Sequence, residues 1–258
     1  MELKIYGSPP SGDRALRPAK SRWVPSWVEG FERWAAPEAE TDLPQERSLL
    51  PVAALLGVAL AVQYAQLGIP AVRAFLEEGD VLYRVSWAGF TIIKQWWLFV
   101  LTLLALRFRE ESLASLGFPR LDARRLTLAI ALVVFFLGAA LLRGPSYPPA
   151  DAAFHWLEPL WPGERALWVL LAVTAAVVEE TFFRGFAIVW TYRWSGHLPL
   201  AVLLPAAVFA AGHVYLGWLN IGFALLAALA FSLLFLWRRD LYWPMLLHFA
   251  VDSLVLLS

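Results

Sequence analysis

The chain repeatedly presents apolar runs long enough to cross a bilayer, and this limits its architecture more than any other feature. Hydrocarbon offers no water to the backbone, so every N–H and C=O must be paired within the spanning structure. A helix meets that demand locally, and about 20 mostly apolar residues bridge the core of the membrane. Such runs fall near 49–69, 86–106, 126–142, 166–190, 198–216, 220–237 and 241–257. The stretch 198–237 is too long for one span, and it is divided at "GWLNIG" (217–222), where two glycines and an asparagine sit together. The expected fold is therefore all-α, a polytopic transmembrane helical bundle of about seven spans. Composition agrees: 60% of the 258 residues are hydrophobic and 16% charged, more apolar surface than a soluble domain of this size can hide. Zero net charge offers no basic face for nucleic acid. The absence of cysteine removes disulfides, a thiol nucleophile and thiolate-held metals.

Three regions follow: a tail over 1–48, accessory helices over 49–145, and a polar-bearing core over 146–258. The tail is charged, broken by prolines and lacks a signal-peptide core, so the first span reads as an uncleaved signal anchor. Within it, "RWVPSWVEGFERWAA" (22–36) sets Trp23, Trp27, Phe31 and Trp34 at helical spacing. That pattern fits an amphipathic helix in the headgroup region or a short helix packed on the protein itself. With the amino terminus in the cytoplasm, 15 basic residues fall on that side. The other side receives Arg73, Arg84, Arg143 and Arg165, which places the carboxyl terminus outside. The preference for arginine over lysine points to a GC-rich bacterial genome, hence to the bacterial cytoplasmic membrane. Lys94, inside the second span, reads as a side chain snorkelling to an interface beside Trp96 and Trp97.

Ionisable groups inside a bilayer cost about 2.5–3.5 kcal/mol each on insertion scales, and they mark functional sites by default. Glu179, Glu180, Arg184, His213, His248 and Asp252 all lie in the last four spans. Helix geometry sorts them. Glu180 and Arg184 are four residues apart, acid first, as an intrahelical ion pair prefers. Glu179 points about 100° away from Glu180 and needs a partner on another helix. His248 and Asp252 are again four apart, so the aspartate can orient the imidazole. His213, four residues after Phe209, has no polar partner nearby in the sequence.

A buried carboxylate with a histidine can deprotonate water, because burial makes the carboxylate a stronger base. A second histidine can donate to a developing oxyanion. These parts suit peptide-bond hydrolysis without a covalent intermediate. They also suit zinc, with Glu179, His213 and His248 as three ligands, or a non-enzymatic transporter or scaffold using the cluster as a proton relay. The chain holds no HExxH, no GxGD and no GxSG, the signatures of other membrane proteases.

"EETFFR" (179–184), "FAAGH" (209–213) and "HFAVD" (248–252) read as EExxxR, FxxxH and HxxxN/D, each in its own apolar helix. In that order they resemble the CAAX protease and bacteriocin-processing family, also called the Abi family; "SLGF" (115–118) is a weaker shared feature. The resemblance covers about the last 90 residues, a four-helix core. It implies a glutamic-type intramembrane endopeptidase that needs no metal or other cofactor. By motif position Glu179 is the catalytic glutamate and His213 its partner in activating water. His248 and Asp252 form the oxyanion site, and Glu180, Arg184 and Phe209 support it. Asp252 departs from the asparagine of the eukaryotic enzymes. An ionised carboxylate only accepts hydrogen bonds, so it would orient His248 unless it is protonated. The implied partner is a membrane-associated protein or peptide, cleaved near its carboxyl end or membrane anchor.

Overall fold

The computed structural model describes residues 25–35, 81–108, 111–118, 122–142, 160–214 and 218–257, with isolated positions between 54 and 61. The expected span at 49–69 lies essentially outside these residues. The described chain forms α1 (Ser26–Ala35), α2 (Val81–Phe108), a 3-10 turn (Leu113–Leu116), α3 (Ala123–Leu142), α4 (Pro162–Ser195), α5 (Leu198–Ala211), α6 (Trp218–Arg238) and α7 (Tyr242–Leu257). Of these, α2, α3, α4 and α6 are long and apolar enough to cross a membrane, while α5 and α7 are shorter apolar helices. A helical membrane bundle is thus the observed fold.

Helix α4 is the axis of the bundle and packs against α2, α3, α5 and α7. Proline in its first turn starts it, where a missing N–H costs nothing. Gly196, at φ 67, ends it, its N–H bonded to the Tyr192 carbonyl at 2.8 Å. Residues 178–191 are buried without exception. A helix apolar all round belongs inside a bundle, and here neighbours also enclose its charges. Between Glu180 and Ile188 the helix widens to π geometry, a local change found often at functional sites.

The break between the fifth and sixth spans comes earlier than expected. Helix α5 ends at Ala211, its last turn tightened by His213 N–H bonding to the Ala210 carbonyl at 3.0 Å. Asn220 and Gly222 lie inside α6 on an exposed turn, where a polar residue at a helix end meets no penalty. Gly117 is required where it stands. Its φ is 78, and a Cβ would come within 3.0 Å of Phe235 and 3.1 Å of the Arg239 carbonyl. Its own carbonyl accepts from Leu241 N at 2.9 Å, so the "SLGF" segment clamps the turn between α6 and α7.

One end of the bundle collects α1, residues 111–118, Arg193 and the 239–240 turn. Arg193 bonds Glu111 at 2.7 Å and the Ala35 carbonyl at 2.9 Å, and Arg239 bonds the Gly30 carbonyl at 3.0 Å. Phe31 is buried against Tyr192 and Phe235. Of the two arrangements open for α1, the structure shows its apolar face packed on the protein.

Two expectations are corrected. Lys94 does not snorkel: it is only 6% exposed and faces the bundle, while Trp96 and Trp97 face outward. The helical period puts Lys94 with Thr91 and Gln95 rather than with the tryptophans that adjoin it in sequence. Arg84 and Arg165, counted above as loop charges, are both buried helix residues. Arg84 makes a two-pronged bond to Glu164 at 2.8 and 2.9 Å, so burial with a partner removes it from the loop charge that guides insertion.

Candidate active site

The π-helical stretch of α4, with Glu179 just before it, carries three charged groups into the bundle centre. Glu180 and Arg184 make the expected pair at 2.8 Å, with both side chains fully buried. Arg184 is also sandwiched by rings: its guanidinium carbon lies 4.9 Å from the Phe209 centroid and 5.3 Å from that of Phe231. Ring faces attract a cation strongly where water is excluded. Phe209 thus links α5 to α4, and its ring also meets Phe183 edge-on at 5.2 Å.

His248 of α7 sits where three carboxylates converge. Its Nδ1 is 2.8 Å from Oε1 of Glu180. Its Nε2 is 3.4 Å from Oδ2 of Asp252 and 3.9 Å from Oε2 of Glu179. Phe231 lies against the ring at 5.3 Å. The spacing of four between His248 and Asp252 therefore brings them together as read from the sequence. Glu180 does more than pair with Arg184, because its Oε1 takes the imidazole and the guanidinium at once.

Glu179 finds its interhelical partner on α2. The Gln95 amide Nε2 donates to Oε1 of Glu179, and Lys94 lies within electrostatic reach of the same carboxylate. The residue-level reading missed Gln95 and misplaced Lys94. A signal was present: Arg84, Thr91, Lys94, Gln95 and Thr102 recur at helical spacing in an otherwise apolar span, and all are buried.

His213 stands apart from this cluster. It does have a local partner, contrary to expectation: its Nδ1 is 2.9 Å from the Phe209 carbonyl, and its ring packs on Phe209 at 4.8 Å. With Nδ1 donating to that carbonyl, Nε2 is the nitrogen left to accept. Among the described residues no hydrogen bond joins His213 to Glu179, and no three His, Asp or Glu side chains converge as metal ligands do. Glu179, His213 and His248 are therefore not arranged as a ready zinc set.

An open apolar depression on the outer face of α2, lined by Ile92, Ile93, Trp96, Trp97 and Val100, carries no group able to do chemistry. The reactive groups lie on the opposite face of that helix.

Comparison with known proteins gives two matches. The family model of the type II CAAX prenyl endopeptidase, Rce1-like, matches residues 161–254, which hold all three motifs. Leukotriene C4 synthase of Rattus norvegicus is 36% identical over 109 residues, covering 39% of this chain and 67% of that protein. The family match spans the clustered polar residues. No solved structure gives a significant match. The match over 161–254, together with the ordered motifs and the helical membrane bundle, supports the CAAX protease and bacteriocin-processing family and an integral membrane hydrolase of the CAAX-protease type.

Proposed function

We propose that the protein is a glutamic-type endopeptidase that cleaves a membrane-associated protein or peptide near its carboxyl end or membrane anchor. The observation that carries this reading is the position of Glu179. Its carboxylate is buried at the bundle centre, held on one oxygen by Gln95 and facing the His248 imidazole with the other.

In this mechanism the attacking water lies between Glu179 and His213. Oε2 of Glu179 takes one proton as the water oxygen adds to the scissile carbonyl carbon. His213 Nε2 orients the same water. The negative charge that develops on the carbonyl oxygen is stabilised by the Nε2–H of His248. Glu180 accepts from Nδ1–H, so the ring acts as an imidazolium with both nitrogens protonated, and the same bond fixes its plane. Asp252, which as a carboxylate can only accept, orients His248 instead of donating to the oxyanion. The proton held by Glu179 then passes to the departing nitrogen, the C–N bond breaks, and the new carboxylic acid gives the second water proton to the amine, so that a carboxylate and an ammonium leave. The water and the chain's own residues account for each proton, so the reading invokes no cofactor.

Residues 146–258 are the catalytic core in this reading, and 49–145 supply accessory helices. The end bearing α1, Arg193 and the 239–240 turn faces the cytoplasm, because basic residues concentrate there. The host membrane is the bacterial cytoplasmic membrane, as the arginine-rich composition indicates.

The test compares carboxyl-terminal peptides in native cells carrying wild-type protein or Glu179→Ala, alongside cleavage of a farnesylated CAAX peptide by the purified protein. Tails that accumulate uncleaved only in the variant support the reading and name the substrates. Equal processing by a stably inserted Glu179→Ala variant overturns it in favour of a relay or scaffold role.

A further inference from the structure

We propose that α2 completes the active site: Gln95, with Lys94 beside it, positions the Glu179 carboxylate and determines which of its oxygens acts as the base. This rests on Glu179 being the general base, as argued above. Helix α2 lies outside residues 161–254, so nothing in the family match assigns these two residues a role.

An ionised carboxylate only accepts hydrogen bonds, so the amide must turn its N–H toward Glu179. That orientation is the one observed, from Nε2 to Oε1. It leaves the amide oxygen of Gln95 buried with no donor among the described residues. Buried polar atoms are nearly always bonded, and an exception calls for an explanation. A glutamine serving only helix packing would be expected to use both ends of its amide. Here the side chain is committed to one carboxylate oxygen.

The consequence is a division of labour within Glu179. Oε1 is occupied by the amide. Oε2 faces Nε2 of His248 at 3.9 Å, on the side where the oxyanion would form. A hydrogen-bonded carboxylate oxygen is the weaker acceptor of the pair, so the proton goes to Oε2. Lys94 adds a positive charge on the same face of α2, buried and in electrostatic reach of Glu179. A lysine inside a membrane span is costly, and the neighbouring carboxylate offsets that cost. Arg184 reaches Glu179 electrostatically from within α4, but Glu180 already holds it at 2.8 Å. Lys94 is the cation that α2 contributes.

The experiment uses the full chain in liposomes, with a quenched farnesylated CAAX peptide as probe. Infrared spectroscopy records the Glu179 carboxylate band, assigned by its loss in Glu179→Gln. Gln95→Leu keeps the volume and removes the amide. It should lower kcat roughly 10–100-fold with KM little changed, the scale of loss for a misplaced reacting group, and it should shift the carboxylate band. Gln95→Asn, one methylene too short, should behave like Gln95→Leu and carries the test if the leucine variant inserts poorly. Lys94→Met should lower kcat similarly, and Lys94→Arg should restore most of it. If the peptide is not cleaved, the band shift decides. Wild-type kcat and an unmoved band in Gln95→Leu and Lys94→Met overturn the inference, as does a drop in melting temperature alone. If Glu179→Gln turns over normally, the assignment of the base falls and takes this inference with it. If Glu179→Gln is inactive while Gln95→Leu matches wild type, only this inference falls.

Discussion

Helices α2 and α3 both read as membrane spans, yet they are built on opposite plans. Helix α3 is apolar throughout its middle, and its few buried positions, Phe136 and Ala140, pack against α4 and α7 with Phe136 edge-on to Phe249. Helix α2 is turned inside out. Arg84, Thr91, Lys94, Gln95 and Thr102 face the bundle, while Phe90, Ile93, Trp96, Trp97 and Val100 face outward. In lipid no hydrophobic force drives helices together, so association depends on close packing and polar bonds. Helix α3 uses the first and α2 the second. What this teaches is that mean hydropathy says whether a helix spans, while the placement of its few polar residues says what it does.

Experiments that remove polar contacts should separate the two plans most sharply. Arg184→Ala removes one of the two partners of Glu180 in the bundle centre and leaves it His248, and breaking a buried pair costs about 3–5 kcal/mol. Unfolding in mixed detergent micelles should show a loss on that scale, together with loss of proteolysis. Arg84→Ala tests the same principle on α2 by leaving Glu164 with the Leu160 N–H but without its cation, again with an expected cost of about 3–5 kcal/mol. Replacing Arg84 and Glu164 together with methionine and leucine should recover most of the loss. If the double replacement is as damaging as the single one, the polar plan for α2 is wrong.

Packing changes should cost less. Gly185 lies where "SLGF" meets α4, and an added Cβ would stand 3.0 Å from the Leu116 carbonyl and 3.1 Å from the Leu241 side chain. Gly185→Ala should destabilise by about 1–3 kcal/mol, the usual range for overpacking, read as a shifted unfolding midpoint. On the outer surfaces the two helices should converge. Phe135→Leu on α3 and Ile93→Leu on α2 should each stay within about 0.5 kcal/mol of wild type. Because the chain has no cysteine, single cysteines report cleanly. Cysteine placed at Trp97 should react with a lipid-soluble maleimide, and at Gln95 it should not. Equal labelling at the two positions would erase the distinction between the faces of α2.

Much of the site was legible in the sequence, because it is local. Pairs four residues apart share a helix face wherever the helix goes, so Glu180–Arg184 and His248–Asp252 could be read directly, and both meet in the structure. The π geometry of Glu180–Ile188 was not legible, since no residue pattern announces it. Lys94 was misplaced for a physical reason. Its neighbours Trp96 and Trp97 are interface residues by chemistry, and only the helical period sets them on the other face. The link from α2 to Glu179 bridges 84 residues, and no local rule predicts such a contact.

The sequence by itself determined that the chain is a helical membrane protein, that its charges gather in the later spans, and which residues form the three motifs. Composition and periodicity suffice for this, because the bilayer leaves the backbone so few choices. The tertiary structure alone decided that Glu180 serves His248 as well as Arg184, that Arg84 is a buried partner rather than a loop charge, and that α2 supplies the groups at Glu179. Each of these depends on which helix stands beside which. Polar side chains in hydrocarbon must find one another, and only the assembled bundle specifies the pairs.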